Sequence, residues 1–344
     1  MTEPRAAIVE LTLARFRMFI REPSAVFWTF GFPVILSIAL GIAFRNRPPD
    51  AVRVAIETGA GAEQLLAALS SDQVEATIEA PAAAGKDLRV GKVVLVVVPG
   101  VPRVYRYDDT RPEGRLARSI VDDRLQRAEG RIDPTATNDL HVTERGTRYI
   151  DFLIPGLVGM NLMSSSMWGI GYIIVDMRTR KLITRMLATP MRRSDFLLSF
   201  VLMRSVFVLL EVPVLLAFGW IAFDVRVTGS PALVLALSVV GALAFAGLGL
   251  LVASRAQNTQ TVGGLMNLVM MPMFIGSGVF FSAGKFPASV QPVLRVLPLT
   301  ALNDAFRAVV NEGATLTEIA RPLALLSGWA LVSFAAALKL FRWR

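Results

Sequence analysis

The sequence predicts a mainly α-helical polytopic membrane protein with six transmembrane helices, an N-terminal interfacial helix and a small α+β extracytoplasmic domain between the first two spans. Three observations carry this expectation. Hydrophobic residues make up 53% of the 344 and mean hydropathy is +0.53, above what a soluble globule of this length carries. Six apolar runs reach spanning length. Between Arg45 and Arg148 lies a long stretch in which 16 basic and 16 acidic residues balance, so the whole net charge of +9 belongs to the hydrophobic part. A purely soluble enzyme is excluded.

The N-terminal segment places Val9, Leu13, Phe16 and Ile20 on one helical face and Glu10, Arg17 and Arg21 on a neighbouring one, as in a helix lying on the cytoplasmic leaflet. The competing reading, a plain continuation of the first span, meets a natural break at Glu22-Pro23. Residues 26–44 form the first run, and 19 residues at about 1.5 Å each give roughly 28 Å, close to the hydrocarbon thickness of a bilayer. No small-residue cleavage site ends this run, so it reads as an uncleaved span. Residues 1–44 thus hold the interfacial helix and first span.

Residues 45–148 read as a folded extracytoplasmic α+β domain. Segments 52–56, 74–78, 93–98 and 101–107 have strand character, and 61–69 and 113–128 are helix-like. The one histidine, His141, falls in its C-terminal arm, where a solvated ring is expected rather than a ligand. With no cysteine and a single histidine, disulfides, thiolate metal sites and histidine-based catalysis have almost nothing to work with.

Residues 149–344 supply five further spans, at 150–175, 196–223, 232–253, 262–281 and 322–340. Six spans put both termini on one side. With that side cytoplasmic, 14 Lys and Arg lie inside and five in the short outside segments, as the positive-inside rule requires. This distribution explains the basic charge without a nucleic-acid partner. Arginine's excess over lysine hints at a GC-rich bacterial genome, hence a bacterial plasma membrane.

The loop from Asp176 to Asp195 is the most informative segment. Leu182, Ile183, Met186 and Leu187 recur at helical spacing, Arg178, Lys181 and Arg185 share another face, and Thr189-Pro190 ends the helix. From the residues alone, this short basic amphipathic helix serves equally as an anchor for topology. Pro287, Pro292 and Pro298 then break residues 283–321, and non-helical backbone at membrane depth survives only under protein or beside a wet cavity; an ordinary surface loop is the other reading.

Within the spans the costly residues are Glu211 and Arg204 on the third, Asn161 on the second and Asn267 on the fifth. A carboxyl in hydrocarbon costs several kcal/mol unless paired, so Glu211 marks either a structural pair or a substrate path. The asparagines serve as interhelical hydrogen-bonding groups or line that path. Methionines including Met266 and Met270 cluster on the second and fifth spans, as packing, lipid-facing residues or an adaptable surface for apolar substrates. Glycines on the same two spans allow close helix approach, as at a dimer seam.

Met186-Leu-Ala-Thr-Pro190 with Arg192-Arg-Ser-Asp-Phe-Leu-Leu198 resembles the coupling segment of ABC-2 type permeases, the membrane subunits of one class of ATP-binding-cassette exporters. The later series of Met271-Pro, Ser277-Gly-Val-Phe-Phe281, Phe286-Pro and Leu297-Pro-Leu-Thr300 is similar to that family's ordered motifs. Lys181 departs from the family by standing where many members have glycine, and Thr184 where many have glutamate. The resemblance implies that residues 176–193 dock on a separate ATPase chain, through Asp176, Arg178, Arg180, Lys181, Arg185, Leu187, Thr189, Pro190, Arg192 and Arg193. ATP and magnesium would belong to that partner and no cofactor to this chain, whose nearest P-loop analogue, at residues 278–285, has the wrong glycine spacing and Phe286 in place of Ser or Thr. It further implies a re-entrant outer gate involving Phe280, Phe281, Pro298, Asn303 and Arg307. A second permease chain, most simply an identical one, completes the transporter, and an amphipathic or hydrophobic substrate (drug, lipid or secondary metabolite) leaves the cytoplasm. A proton-coupled secondary transporter using Glu211 and a non-transporting sensor with an outer ligand domain are the rival readings.

Overall fold

The computed structural model describes residues 7–43, 51–71, 73–132, 135, 148–187 and 193–340. The chain begins with α1 (Ala7–Ile20), α2 (Pro23–Val26), a π-helical turn at Phe27–Gly31 and α3 (Phe32–Ala43). Next come β1 (Val52–Glu57), α4 (Ala62–Leu69), β2 (Val74–Glu79), α5 (Pro81–Val90), β3 (Leu95–Val98), β4 (Val104–Tyr107) and α6 (Pro112–Ala128). The remainder is helical. It comprises α7 (Tyr149–Met167), a second π turn at Trp168–Tyr172, α8 (Ile173–Thr179), α9 (Leu182–Leu187), α10 (Arg193–Phe223), α11 (Pro231–Arg255) and α12 (Thr259–Gly276). A 3-10 turn at Ala283–Lys285, α13 (Gln291–Val296), α14 (Pro298–Glu312) and α15 (Ala320–Leu340) complete it. Two compact units result, one of residues 46–142 and one of residues 1–45 with 143–344.

The smaller unit has a four-stranded sheet in the order β2-β1-β3-β4. β1 pairs in parallel with both β2 and β3, and only β3 and β4 are antiparallel. Parallel neighbours need crossover connections, and α4 and α5 provide them. Val54, Ile56, Leu95 and Val97 point to one face, against Leu69 of α4 and Val121 and Leu125 of α6. Ala55 and Val96 point to the other, against Ala84 of α5. With helices on both faces, the unit is a three-layer α/β arrangement rather than the α+β one expected from sequence. The difference comes from α5, whose inward face is only Ala84 and Leu88, a pair too short to mark a helix; Pro81 in its first turn and Gly91 at its C-cap (φ 79°) delimit it instead. His141 lies outside the described residues.

Among the described residues of the helical unit, four helices are long and apolar enough to cross a membrane: Tyr149–Thr179, Ser199–Phe223, Pro231–Arg255 and Ala320–Leu340. Phe27–Ala43 is a shorter apolar helix. α12 stops at Gly276, short of the expected boundary at Phe281, because Gly278 adopts φ 71° and turns the chain out of the helix. α11 is the centre of the unit, packed against α15 and α7 and buried without interruption from Ala244 to Leu250. α10 and α15 instead expose Leu209, Val214, Ile221, Leu331, Val332 and Leu338, a surface suited to lipid and costly in water.

At one end of this bundle the backbone of Thr228 and Gly229, ahead of α11, donates to the carbonyls of Val310 and Val309 in α14. The α9 segment and the C-terminus of α11 occupy the other end. In α1, Phe16 and Phe19 pack on Phe207 of α10, with ring centroids 5.2 and 4.3 Å away.

Candidate functional site

Three of the intramembrane polar residues singled out in the sequence converge on one buried cluster. Arg204 and Glu211, two turns apart on α10, form an ion pair at 2.8 Å with 8% and 1% of their side chains exposed. Asn161 of α7 donates one amide hydrogen to Glu211 Oε1 and the other to the Thr29 carbonyl at 3.0 Å. That carbonyl sits in the first π turn, where the usual helical hydrogen-bond ladder is offset. Ser165 Oγ accepts from Arg204 Nη2 at 2.6 Å, and its own proton is within reach of the Asn161 carbonyl at 2.6 Å and Glu211 Oε1 at 3.0 Å. Arg204 Nε donates to Ser166 Oγ at 2.8 Å. The charges cancel inside the cluster, which is the condition under which ions persist at such burial.

Ser165, Ser166 and Thr29 do not stand out in the sequence. Ser165 lies four residues after Asn161 and so on the same helical face, a signal present in the run Ser164-Ser165-Ser166. Asn267, in contrast, is exposed on α12 and takes no part in the hydrogen bonds of this cluster, while Met266 and Met270 are buried in the core.

The segment from Asp176 to Leu187 is two helices, not one. α8 ends at Thr179, Lys181 adopts the left-handed conformation at φ 57°, and α9 starts at Leu182. The break separates residues that a continuous helix would align. Arg178 turns inward, where its Nη1 donates to the carbonyls of Ala253 and Ala256 at 3.0 Å each and closes the C-terminal end of α11. Asp176 pairs with Arg180 at 3.0 Å. Ile183 is buried, and Arg180, Lys181 and Arg185 are exposed, giving a cationic surface carried on an apolar anchor. Arg193 begins α10; Thr189, Pro190 and Arg192 lie outside the described residues.

Lys181 holds a conformation, φ 57°, that glycine reaches without strain and lysine does not. Lys181→Gly is expected to stabilise the α8–α9 break by about 0.5–1 kcal/mol, whereas Lys181→Val is expected to destabilise it. Amide hydrogen exchange across α9, slowed by the first variant and accelerated by the second, checks the sign.

The residues expected at an outer gate gather at the opposite end. Arg307 of α14 donates through Nε to the Phe152 carbonyl at 3.2 Å and through Nη2 to the Gly278 carbonyl, with its guanidinium 3.5 Å above the Phe152 ring. Asn303, fully buried, donates to the Ser277 carbonyl at 3.0 Å, and Tyr149 donates to that of Phe280 at 2.9 Å. These side chains satisfy the carbonyls freed where α12 unwinds. Pro298, buried, starts α14 just after α13 ends, so the two helices form a broken pair, and Phe281 is half exposed. A cavity of about 490 Å³ opens between α13, α14 and the start of α7.

A family model described as ABC-2 family transporter protein matches residues 23–339. The chain is similar to Nodulation protein J of Rhizobium meliloti, 28% identical over 58% of this chain and 76% of that protein. It is also similar to the linearmycin resistance permease protein LnrN of Bacillus subtilis, 25% identical over 52% of this chain and 46% of the relative. With ABC transporter G family member 20 of Dictyostelium discoideum it shares 27% identity over 49% of this chain, spanning 23% of that protein.

Proposed function

Because the chain belongs to the ABC-2 transporter family, we propose that it is the membrane permease subunit of an exporter powered by a separate ATP-binding-cassette ATPase. The observation that carries this reading is the exposed set Arg180, Lys181 and Arg185 around the buried Ile183, a basic surface at one end of a bundle whose helices have the length and apolarity of membrane spans. In this reading the N-terminal helix lies on the cytoplasmic leaflet and both termini are cytoplasmic. The first apolar helix and α12 complete six spans in a bacterial plasma membrane. The unit of residues 46–142 is extracytoplasmic.

Two such chains, most simply identical, would enclose a cavity that opens alternately to each side, with ATP and magnesium held by the partner ATPases. Binding of ATP shifts the equilibrium only if the ATPase contacts α9 differently in the two states. The substrate class that fits is amphipathic or hydrophobic: a drug, lipid or secondary metabolite. The Glu211–Arg204 pair, with its hydrogen bonds supplied from α7, supports a role in holding helices together more than one as the proton site of a secondary transporter.

The test is to purify the chain with the ATPase encoded beside it and compare the parent with Arg185→Glu and Arg180→Glu. Reversing a charge at an interface disfavours docking, and each variant is expected to lower recovery of the ATPase, or its stimulation by the permease, by about tenfold. Arg178 is unsuited to this comparison because its loss would open the end of α11. Parent-like coupling in both variants would overturn the docking assignment.

A further inference from the structure

The cavity beside Arg307 is lined by Phe152, Arg295, Thr300, Asp304, Arg307 and Glu312, among others. Its charged groups are two guanidiniums and two carboxylates, so a ligand of single charge meets repulsion as well as attraction, and a ligand carrying both charges can match each group with its opposite. Arg307 is fixed by its bonds to the Phe152 and Gly278 carbonyls, and its remaining Nη1 stands 3.7 Å from Asp304, beyond hydrogen-bond range. Asp304 keeps 64% of its side chain exposed. Arg295 reaches Gln291 only at 3.4 Å. The buried Thr300 Oγ1 has no hydrogen-bond partner among the described residues.

The other face of α13, extended by its N-cap residue Val290, is apolar. Val290, Val293 and Val296 are 41%, 65% and 53% exposed, while Gln291 and Arg295 between them line the cavity. The Val296 carbonyl receives a hydrogen bond from Trp329 Nε1 at 2.9 Å. Trp329 stands nine residues into α15, roughly 13 Å along its axis, so α13 lies beside the apolar length of that helix. α13 thus carries cavity-lining polar residues on one side and exposed valines on the other, an amphipathic edge suited to a molecule with a polar head and hydrocarbon tails.

We propose that this cleft binds the headgroup of a zwitterionic phospholipid bearing a primary ammonium. The phosphate would lie between Arg295 and Nη1 of Arg307, the ammonium would donate to Asp304 and Glu312, and the acyl chains would run along the exposed valines. A primary ammonium suits the carboxylates because it donates hydrogen bonds, which a quaternary one does not. The proposal rests on the membrane assignment above but not on coupling to an ATPase.

The experiment uses the purified full chain without any ATPase and native mass spectrometry with phosphatidylethanolamine, phosphatidylcholine and phosphatidylglycerol of identical acyl chains. Phosphatidylethanolamine is expected to be retained about tenfold more tightly than either of the others. Asp304→Asn is expected to remove that preference, and Arg295→Gln, which loses a phosphate contact, to weaken retention of all three lipids. Both positions are exposed, and both variants are expected to leave the melting temperature without lipid unchanged. Arg226→Gln, an exposed residue at the same end of the bundle, is expected to behave as the parent. Equal retention of the three lipids, a preference for phosphatidylglycerol, a parent-like preference in Asp304→Asn or parent-like retention in Arg295→Gln would overturn the proposal, as would variants that change only the monomer–dimer balance. Failure here would leave the ATPase-docking experiment untouched, and failure of docking would leave this preference measurable.

Discussion

Replacing Arg204 with methionine is expected to destabilise the chain by about 3–5 kcal/mol, because Glu211 would be left in the bundle without its counter-ion. The converse change, Glu211→Leu, strands the guanidinium and carries a cost of similar size. Removing both together is expected to cost less than the sum of the two, with a coupling energy of about 1–3 kcal/mol. The reason is that the pair neutralises itself at 2.8 Å, so each single variant loses a partner while the double variant loses only the pair. Denaturant titration of the four proteins in detergent measures this cycle. Additive costs would mean that the two side chains act independently.

Gly171 and Gly249 carry the second large effect. A Cβ built on Gly171 would lie 2.6 Å from the Gly249 carbonyl oxygen, and one built on Gly249 would lie 2.9 Å from that of Met167. Both obstacles are backbone, so no rotamer change relieves them, and α7 with its π turn would have to move away from α11. Gly249→Leu is expected to cost about 3 kcal/mol, the upper end of the usual overpacking range, and Gly249→Ala somewhat less. Gly169, two residues from Gly171 in the same π turn, faces open space, with nothing within 4 Å of where its Cβ would stand. Gly169→Ala is therefore expected to be neutral or to stabilise by a few tenths of a kcal/mol, since alanine is the better helix former. Melting temperatures of Gly169→Ala and Gly249→Ala should thus move apart, and a common shift would show that glycine content rather than the crossing matters.

Much of the fold is legible in the residues because apolar runs of about 25 residues leave few alternatives. α7 with α8, α10, α11 and α15 fall within a few residues of the expected spans, and the four strands fall close to their apolar segments. What periodicity cannot express is a change of phase. The π turns at Phe27–Gly31 and Trp168–Tyr172 each insert an additional residue into a helical turn. Lys181 ends one helix and starts another, so the face expected to hold Arg178, Lys181 and Arg185 does not exist as a unit. α5 is hidden for another reason, since between Pro81 and Gly91 only Ala84 and Leu88 face the core, and without it the sheet could not be read as parallel.

The polar cluster is half legible. Glu211, Arg204 and Asn161 stand out because ionisable and amide side chains are expensive among hydrocarbon. Their serine partners do not, since serine is common in helices and its role depends on which helix faces it. Asn267 shows the converse: the same residue type on an equally apolar helix lies on the surface of the bundle. At the other site, the proline pattern locates the break between α13 and α14, but nothing in the sequence indicates that Arg307 reaches both Phe152 and Gly278.

The two hydrogen bonds from Arg178 to Ala253 and Ala256 have a mechanical consequence. Both carbonyls accept from one nitrogen, Nη1, so sliding α8 along the end of α11 would strain both bonds together. A push delivered to α9 therefore displaces α8 and α11 in step, and α15 travels with α11 because the two are packed along their lengths. The load enters a stiff block rather than a single rod. α10 meets that block by packing on α11 and is tied to α7 through Arg204 and Glu211, so the stiffness of these two contacts sets how closely α10 follows.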